Sequence, residues 1–115
     1  MNKIYYLSTC STCKRILSEI DTSNIELQDI KSNPLTENQL KELCALANSY
    51  ESLFSKRAIK YKTLGLADLE LTEEDYKKYL LTDYTFLKRP VAIIDHEIFI
   101  GNSKKNVEAL KAKIN

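Results

Sequence analysis

Read from its amino end, the chain opens on KIYYL, residues 3 to 7, a largely β-branched and aromatic stretch that stops at a Ser-Thr cluster, as a short buried strand would. Apolar positions then fall at Cys13, Ile16, Leu17 and Ile20, which is helical spacing. The helix so predicted turns Cys13 inward and leaves Cys10 one turn earlier, at or just before its first residue. Residues 25 to 30, Ile-Glu-Leu-Gln-Asp-Ile, alternate with period two. A second strand is therefore expected, parallel to the first through a right-handed crossover, which completes a β-α-β unit.

Asn33-Pro34 interrupts this pattern. Thr36-Glu37-Asn38-Gln39 then has the form of a capping box, with Leu35 and Leu40 placed as a hydrophobic staple. The helix it opens should run to about Ala47, with Leu40, Leu43, Cys44 and Ala47 on one face. Thr72-Glu73-Glu74-Asp75 is a second such start, leading into a helix with Tyr76, Tyr79 and Leu80 inward. Between them ESLFSKRAIKYKTLGL is less periodic and reads as short helices ending at Gly65. After residue 85 comes RPVAIIDHEIFIG, two apolar strands joined by Asp95-His96, for which a two-residue β-hairpin is the economical reading. Val107, Leu110 and Ile114 form one face of a closing helix. The whole reads as one domain over residues 1 to 115, with a helical insertion at about 35 to 85. Its order, β-α-β, helical insertion, β-β-α, is that of an α/β fold of thioredoxin-like, glutaredoxin-like design with a mixed four-stranded sheet.

Composition narrows the function classes. The 115 residues are 43% hydrophobic and 29% charged with two glycines and two prolines, which suits one compact core rather than a linker or disordered tail. Seventeen basic and sixteen acidic side chains are mixed along the chain and leave a formal net charge of +1, so no global field attracts nucleic acid or an anionic membrane. No apolar run approaches the roughly 20 residues that cross a bilayer, and the start lacks the layout of a signal peptide. A cytoplasmic protein, monomeric and without direct nucleic-acid or membrane partners, is expected.

Candidate chemistry sits in STCSTCKR, residues 8 to 15, where two of the three cysteines lie three positions apart at a strand–helix junction. In a reducing compartment such a pair more often means redox chemistry or metal than a structural staple. At a helix start Cys10 meets unpaired N–H groups and a dipole that favours an anion, with Lys14 and Arg15 close behind in sequence; both features lower a thiol pKa. Cys10 would then attack, and the more buried Cys13 would resolve the intermediate as an intramolecular disulfide. Two plainer readings stand beside this one. Structural zinc needs four ligands, and beyond the pair only Cys44, on an apolar helical face, and His96, in a turn, remain. Inert core packing is common for free cysteine and suits Cys13 better than Cys10. Cys44 itself is explained by packing, and His96 reads as a solvated turn residue.

Arg89-Pro90 heads the third strand, where a proline need not donate to the ladder. Only about 5–6% of X-Pro bonds are cis, and alone this one is an ordinary strand start. In a thioredoxin-like layout, however, the proline before the third strand faces the thiol pair and is characteristically cis, which would bring Arg89 to the site.

Four segments together carry a resemblance: YYLSTCSTCKRIL, FSKRAIKYKTLGL, FLKRPVAIID and IFIGNSKKNVEAL. In this order and spacing the chain resembles the ArsC/Spx family, the arsenate reductase-like branch of the thioredoxin superfamily. The resemblance implies that Cys10 is the nucleophile and that Arg89 is the arginine of an RP motif. It also implies that arginines hold an oxyanion such as arsenate, a task suited to their planar fork. Glutathione with glutaredoxin, or thioredoxin, would supply electrons, with no bound cofactor. The insertion arginine of glutathione-linked reductases falls at Ser55, while Arg57 matches the arginine of Spx-like members. The third arginine of the reductases has no counterpart around Gly101-Asn102. Cys13 likewise resembles the Cys-x-x-Cys switch of Spx-type proteins, which bind the C-terminal domain of the RNA polymerase α-subunit. The expectation is a thiol–disulfide oxidoreductase, arsenate reductase-like, with Cys10 and Cys13 catalytic. Arg57, Arg89, Pro90 and Lys14 would bind the substrate or anion, and a small thiol or redox protein would be the partner. A redox-sensing regulator without turnover is the alternative.

Overall fold

In a computed structural model that describes residues 2–114, the chain forms β1 (Lys3–Tyr6), α1 (Ser11–Ser18), β2 (Glu26–Asp29), α2 (Glu37–Ala47), α3 (Ile59–Thr63), α4 (Glu73–Thr82), β3 (Val91–Ile94), β4 (Glu97–Ile100) and α5 (Lys104–Ile114). Single 3₁₀ turns lie at Glu51–Leu53, Leu66–Asp68 and Tyr84–Phe86. Two compact units result: the segment Pro34–Lys88 is one, and the residues on either side of it together form the other.

The flanking unit carries the sheet, in the order β2-β1-β3-β4, with β1 parallel to β2 and antiparallel to β3. It is a mixed four-stranded sheet of the thioredoxin-like kind. The register places Ile4 opposite Ala92, and Ala92 opposite Phe99. Those three side chains, with Ile20, Ile94 and Leu110, make one buried cluster, against which Tyr6, Leu17, Ile25 and Ile114 pack. Asp95 and His96 make the β3–β4 turn with φ of 51° and 68°, the left-handed pair that matches the twist of a two-residue hairpin. His96 is exposed, as a turn residue should be.

Three differences from the sequence reading have physical causes. Leu7 lies outside β1, because its carbonyl accepts the N–H of Cys10 at 3.0 Å and closes a turn instead of extending the ladder. The helix α1 ends at Ser18, before Ile20, which reaches the core from the loop beyond. In β2 burial does not follow the apolar alternation: Leu27 is 40% exposed and Gln28 only 5%, on a strand that lies at the edge of the sheet. Burial of Gln28 is compensated by a hydrogen bond from its amide Nε2 to the carbonyl of Asn33, 2.9 Å.

In the inserted unit both capping boxes form, at Thr36 with Gln39 and at Thr72 with Asp75. Leu40, Leu43, Tyr76 and Leu80 are buried, whereas Cys44 and Tyr79 are only half-buried. Tyr79 rests edge-on to Phe86, and Phe54 stacks on Phe86 at 5.0 Å with Tyr61 and Tyr76 edge-on to Phe54. Gly65, at φ 71°, supplies the left-handed step after α3, the stop its position suggested. Thr36→Ala should cost about 1 kcal/mol, the usual worth of a side-chain cap, read as a lower urea midpoint with an unchanged m-value.

Candidate active site

Cys10 is the N-cap residue of α1, its backbone extended at φ −92° and ψ 113°. Two backbone bonds set that position: its N–H donates to Leu7 at 3.0 Å, and its carbonyl receives the N–H of Lys14 at 3.1 Å. The sulfur makes no close capping bond; the N–H groups of Cys13 and Thr12 act on it from further out. Cys10 is half-buried, and Cys13, one turn along, is fully buried. The two are free thiols.

Burial pushes the Cys10 thiol upward. That push is outweighed by the Cys13 N–H, a hydrogen bond from the Cys13 side chain, the Thr12 N–H and the positive charge of Arg89, so Cys10 lies below the ordinary cysteine value. Cys13 moves the other way, to about 11, because burial and then the charge on Cys10 outweigh the backbone of Leu7 and Arg89. The outer sulfur thus gives up its proton before the inner one, which keeps its own and can donate it outward. This is the division of labour an attacking and a resolving thiol require.

The cation that acts on both sulfurs is Arg89. Its bond to Pro90 is cis, as the thioredoxin-like layout implied, and Pro90 is buried. The carbonyl of Pro90 accepts the N–H of Gly101 at 2.8 Å, and the carbonyl of Gly101 accepts Nδ2 of Asn106 at 2.8 Å. Gly101 and Asn106 therefore hold the proline loop from behind. Sequence reading missed both roles; the only cue was an Asn three residues after Ser103, whose hydroxyl accepts the Asn106 N–H and caps α5. Lys14 is exposed on α1, and the cation lowering Cys10 is Arg89 rather than this lysine. Arg57 is exposed in the turn ahead of α3, in the inserted unit. Cys44 accepts a hydrogen bond from Tyr50, and burial with the nearby Glu73 charge nonetheless raises its thiol. Among the described residues no three His, Cys, Asp or Glu side chains are grouped as a metal would need. None of their helices is long and apolar enough to cross a membrane.

The model of the ArsC family matches residues 5–110. The chain belongs to the ArsC family. Similar ArsC-type proteins include an arsenate reductase of Escherichia coli, 26% identical over 78% of this chain and 66% of that protein. The global transcriptional regulator Spx 2 of Bacillus anthracis is 21% identical over 90% of this chain and 82% of its own. Among solved structures, an ArsC family related protein from Bacteroides fragilis superposes with a TM-score of 0.75 at 25% identity, covering 96% of this chain and 98% of that one.

With the two thiols arranged in this way, iodoacetamide at neutral pH should label Cys10 first, Cys44 later and Cys13 last. Only the thiolate reacts. The Cys10 rate should therefore rise with pH through a midpoint below the ordinary thiol value and level off above that midpoint. Peptide mapping by mass spectrometry checks both statements; Cys10 labelling no faster than a free cysteine would favour inert thiols.

Proposed function

We propose that the protein is a thiol–disulfide oxidoreductase of the ArsC family. The observation that supports this most directly is the pairing of a lowered Cys10 thiol at the start of α1 with a buried, raised Cys13 thiol that donates to it. The Cys10 thiolate attacks one sulfur of a substrate disulfide, forming a mixed disulfide and expelling the other sulfur as a thiolate. Cys13 then attacks Cys10 and releases the second substrate sulfur, its own proton passing to the leaving thiolate. Two electrons leave the cysteine pair, which ends as the Cys10–Cys13 disulfide. A dithiol or two glutathione molecules restore it. Arg89 stabilises negative charge on the sulfurs or on an oxyanion substrate throughout.

The proposal is tested by steady-state reduction of arsenate, a glutathionylated peptide and a disulfide-linked peptide. Each is offered with glutathione and glutaredoxin or with thioredoxin as electron donor. Turnover on at least one combination is expected, and rates at the protein-free background on all of them overturn it.

Cys13 and the likeness to Spx 2 support a second reading, a redox-sensing regulator that binds the RNA polymerase α-subunit without turnover. A pull-down with the α C-terminal domain separates the two. Capture that depends on the oxidation state of the cysteine pair supports regulation, and no capture in either state removes it.

A further inference from the structure

Where β1 ends, the chain must leave the sheet and set Cys10 at the head of α1 within four residues. The last ladder partners here are Tyr6 and Asp29, and the N–H of Ile30 still reaches the carbonyl of Tyr6 at 2.9 Å. Beyond that point the β1–α1 loop has lost its neighbouring strand. Its next contact is made by a side chain: Oδ1 of Asp29 accepts the N–H of Ser8 at 3.1 Å. The same oxygen accepts the N–H of Lys31 at 3.2 Å, and Oδ2 receives the hydroxyl of Ser32 at 3.2 Å. The carboxylate is therefore fixed by its own loop and offers a rigid acceptor to the neighbouring one. Two residues after Ser8, the Cys10 N–H closes the turn onto Leu7.

We propose that Asp29 is a positioning residue for Cys10: its carboxylate clamps the start of the 7–10 turn, so that the sulfur stays in front of the Thr12 and Cys13 N–H groups. The inference rests on Cys10 being the reactive thiol, and it adds a residue on another strand that decides how reactive that thiol is. Neither the cysteine motif nor the spacing of residues 8 to 15 points to Asp29, which in the sequence is one more acid in a strand.

A carboxylate near a thiolate has two opposite effects, and they predict opposite signs. As a negative charge it disfavours the anion, so its removal would make Cys10 more reactive below its midpoint. As a clamp it holds the sulfur in the field of the N–H groups at the start of α1, so its removal makes Cys10 less reactive. The Asp29 carboxylate is taken up by three donors, the Ser8 and Lys31 N–H groups and the Ser32 hydroxyl, which offset its charge, while the Ser8 bond ties it to the turn that carries Cys10. The clamp is therefore the effect that the substitution should expose.

The experiment is the pH profile of iodoacetamide labelling at Cys10, localised by mass spectrometry in the full-length protein. Asp29→Ala should shift the profile to higher pH, slowing labelling below the midpoint about fivefold, the worth of roughly one hydrogen bond to the sulfur. The plateau at high pH should stay unchanged. Asp29→Asn keeps an Oδ1 acceptor and should follow the wild type. Should the alanine protein not fold, Asp29→Glu carries the test, since it keeps the charge while moving the acceptor one methylene out of place; it should shift like the alanine variant. A lowered wild-type midpoint that Asp29→Ala leaves in place, or lowers further, overturns the role of Asp29 and leaves the proposed oxidoreductase standing. An ordinary thiol midpoint in the wild type overturns both.

Discussion

Cys10→Ser is expected to reduce turnover by about 10³-fold or more, to the rate of exchange without the protein. An alcohol oxygen is almost wholly protonated at neutral pH and forms no disulfide, so neither step of the proposed exchange can begin. The loss should not come from the fold. Both hydrogen bonds that place Cys10 are made by its backbone, to Leu7 and from Lys14, and they survive the change. Serine is also among the preferred N-cap residues. The serine protein should therefore melt at or above the wild-type temperature while reducing nothing, a combination that separates chemistry from stability. Equal steady-state rates for the two proteins would count against catalysis by Cys10.

Cys13→Ser should stop the reaction half way. The first attack still occurs, and the protein then accumulates with half of the substrate attached to Cys10, visible as one added mass per chain. Release now waits for a thiol from solution. Because an intramolecular thiol acts at a very high effective concentration, turnover should drop by about 10²-fold or more. Cys13 is fully buried beside Cys10, and the substitution preserves a group able to donate toward the outer sulfur. The labelling midpoint of Cys10 should therefore move much less than turnover does. If the adduct clears from the serine protein as fast as from the wild type, Cys13 is not the resolving thiol.

How far these features could be read in advance depended on the range of the forces behind them. The capping boxes at Thr36 and Thr72 and the Asp95-His96 turn are set by neighbours within four residues, and each forms as the local pattern indicates. The placement of Cys10 as N-cap and Cys13 as an inward residue of α1 was legible for the same reason. Side-chain facing on β2 was not, because which strand becomes the sheet edge is decided by pairings with residues far along the chain. Leu27 and Gln28 accordingly exchange their usual places. Within the site, Arg89 acts on the Cys10 sulfur across 79 positions of sequence, and it was found through the thioredoxin-like layout rather than through spacing. Lys14, adjacent in sequence, points its charge into solvent instead. Asp29 and Asn106 act by single side-chain bonds onto backbone from another segment, an arrangement with no local signature.

The complete burial of Cys13 has a consequence under peroxide stress, given the chemistry proposed for Cys10. A sulfenic acid formed on the outer sulfur would condense at once with the sheltered thiol behind it, releasing water and leaving a reducible bond. Capture of that kind precedes a second oxidation to the irreversible sulfinic state. The inner sulfur, out of reach of the oxidant itself, would thus preserve the protein for reuse by the next reductant it meets.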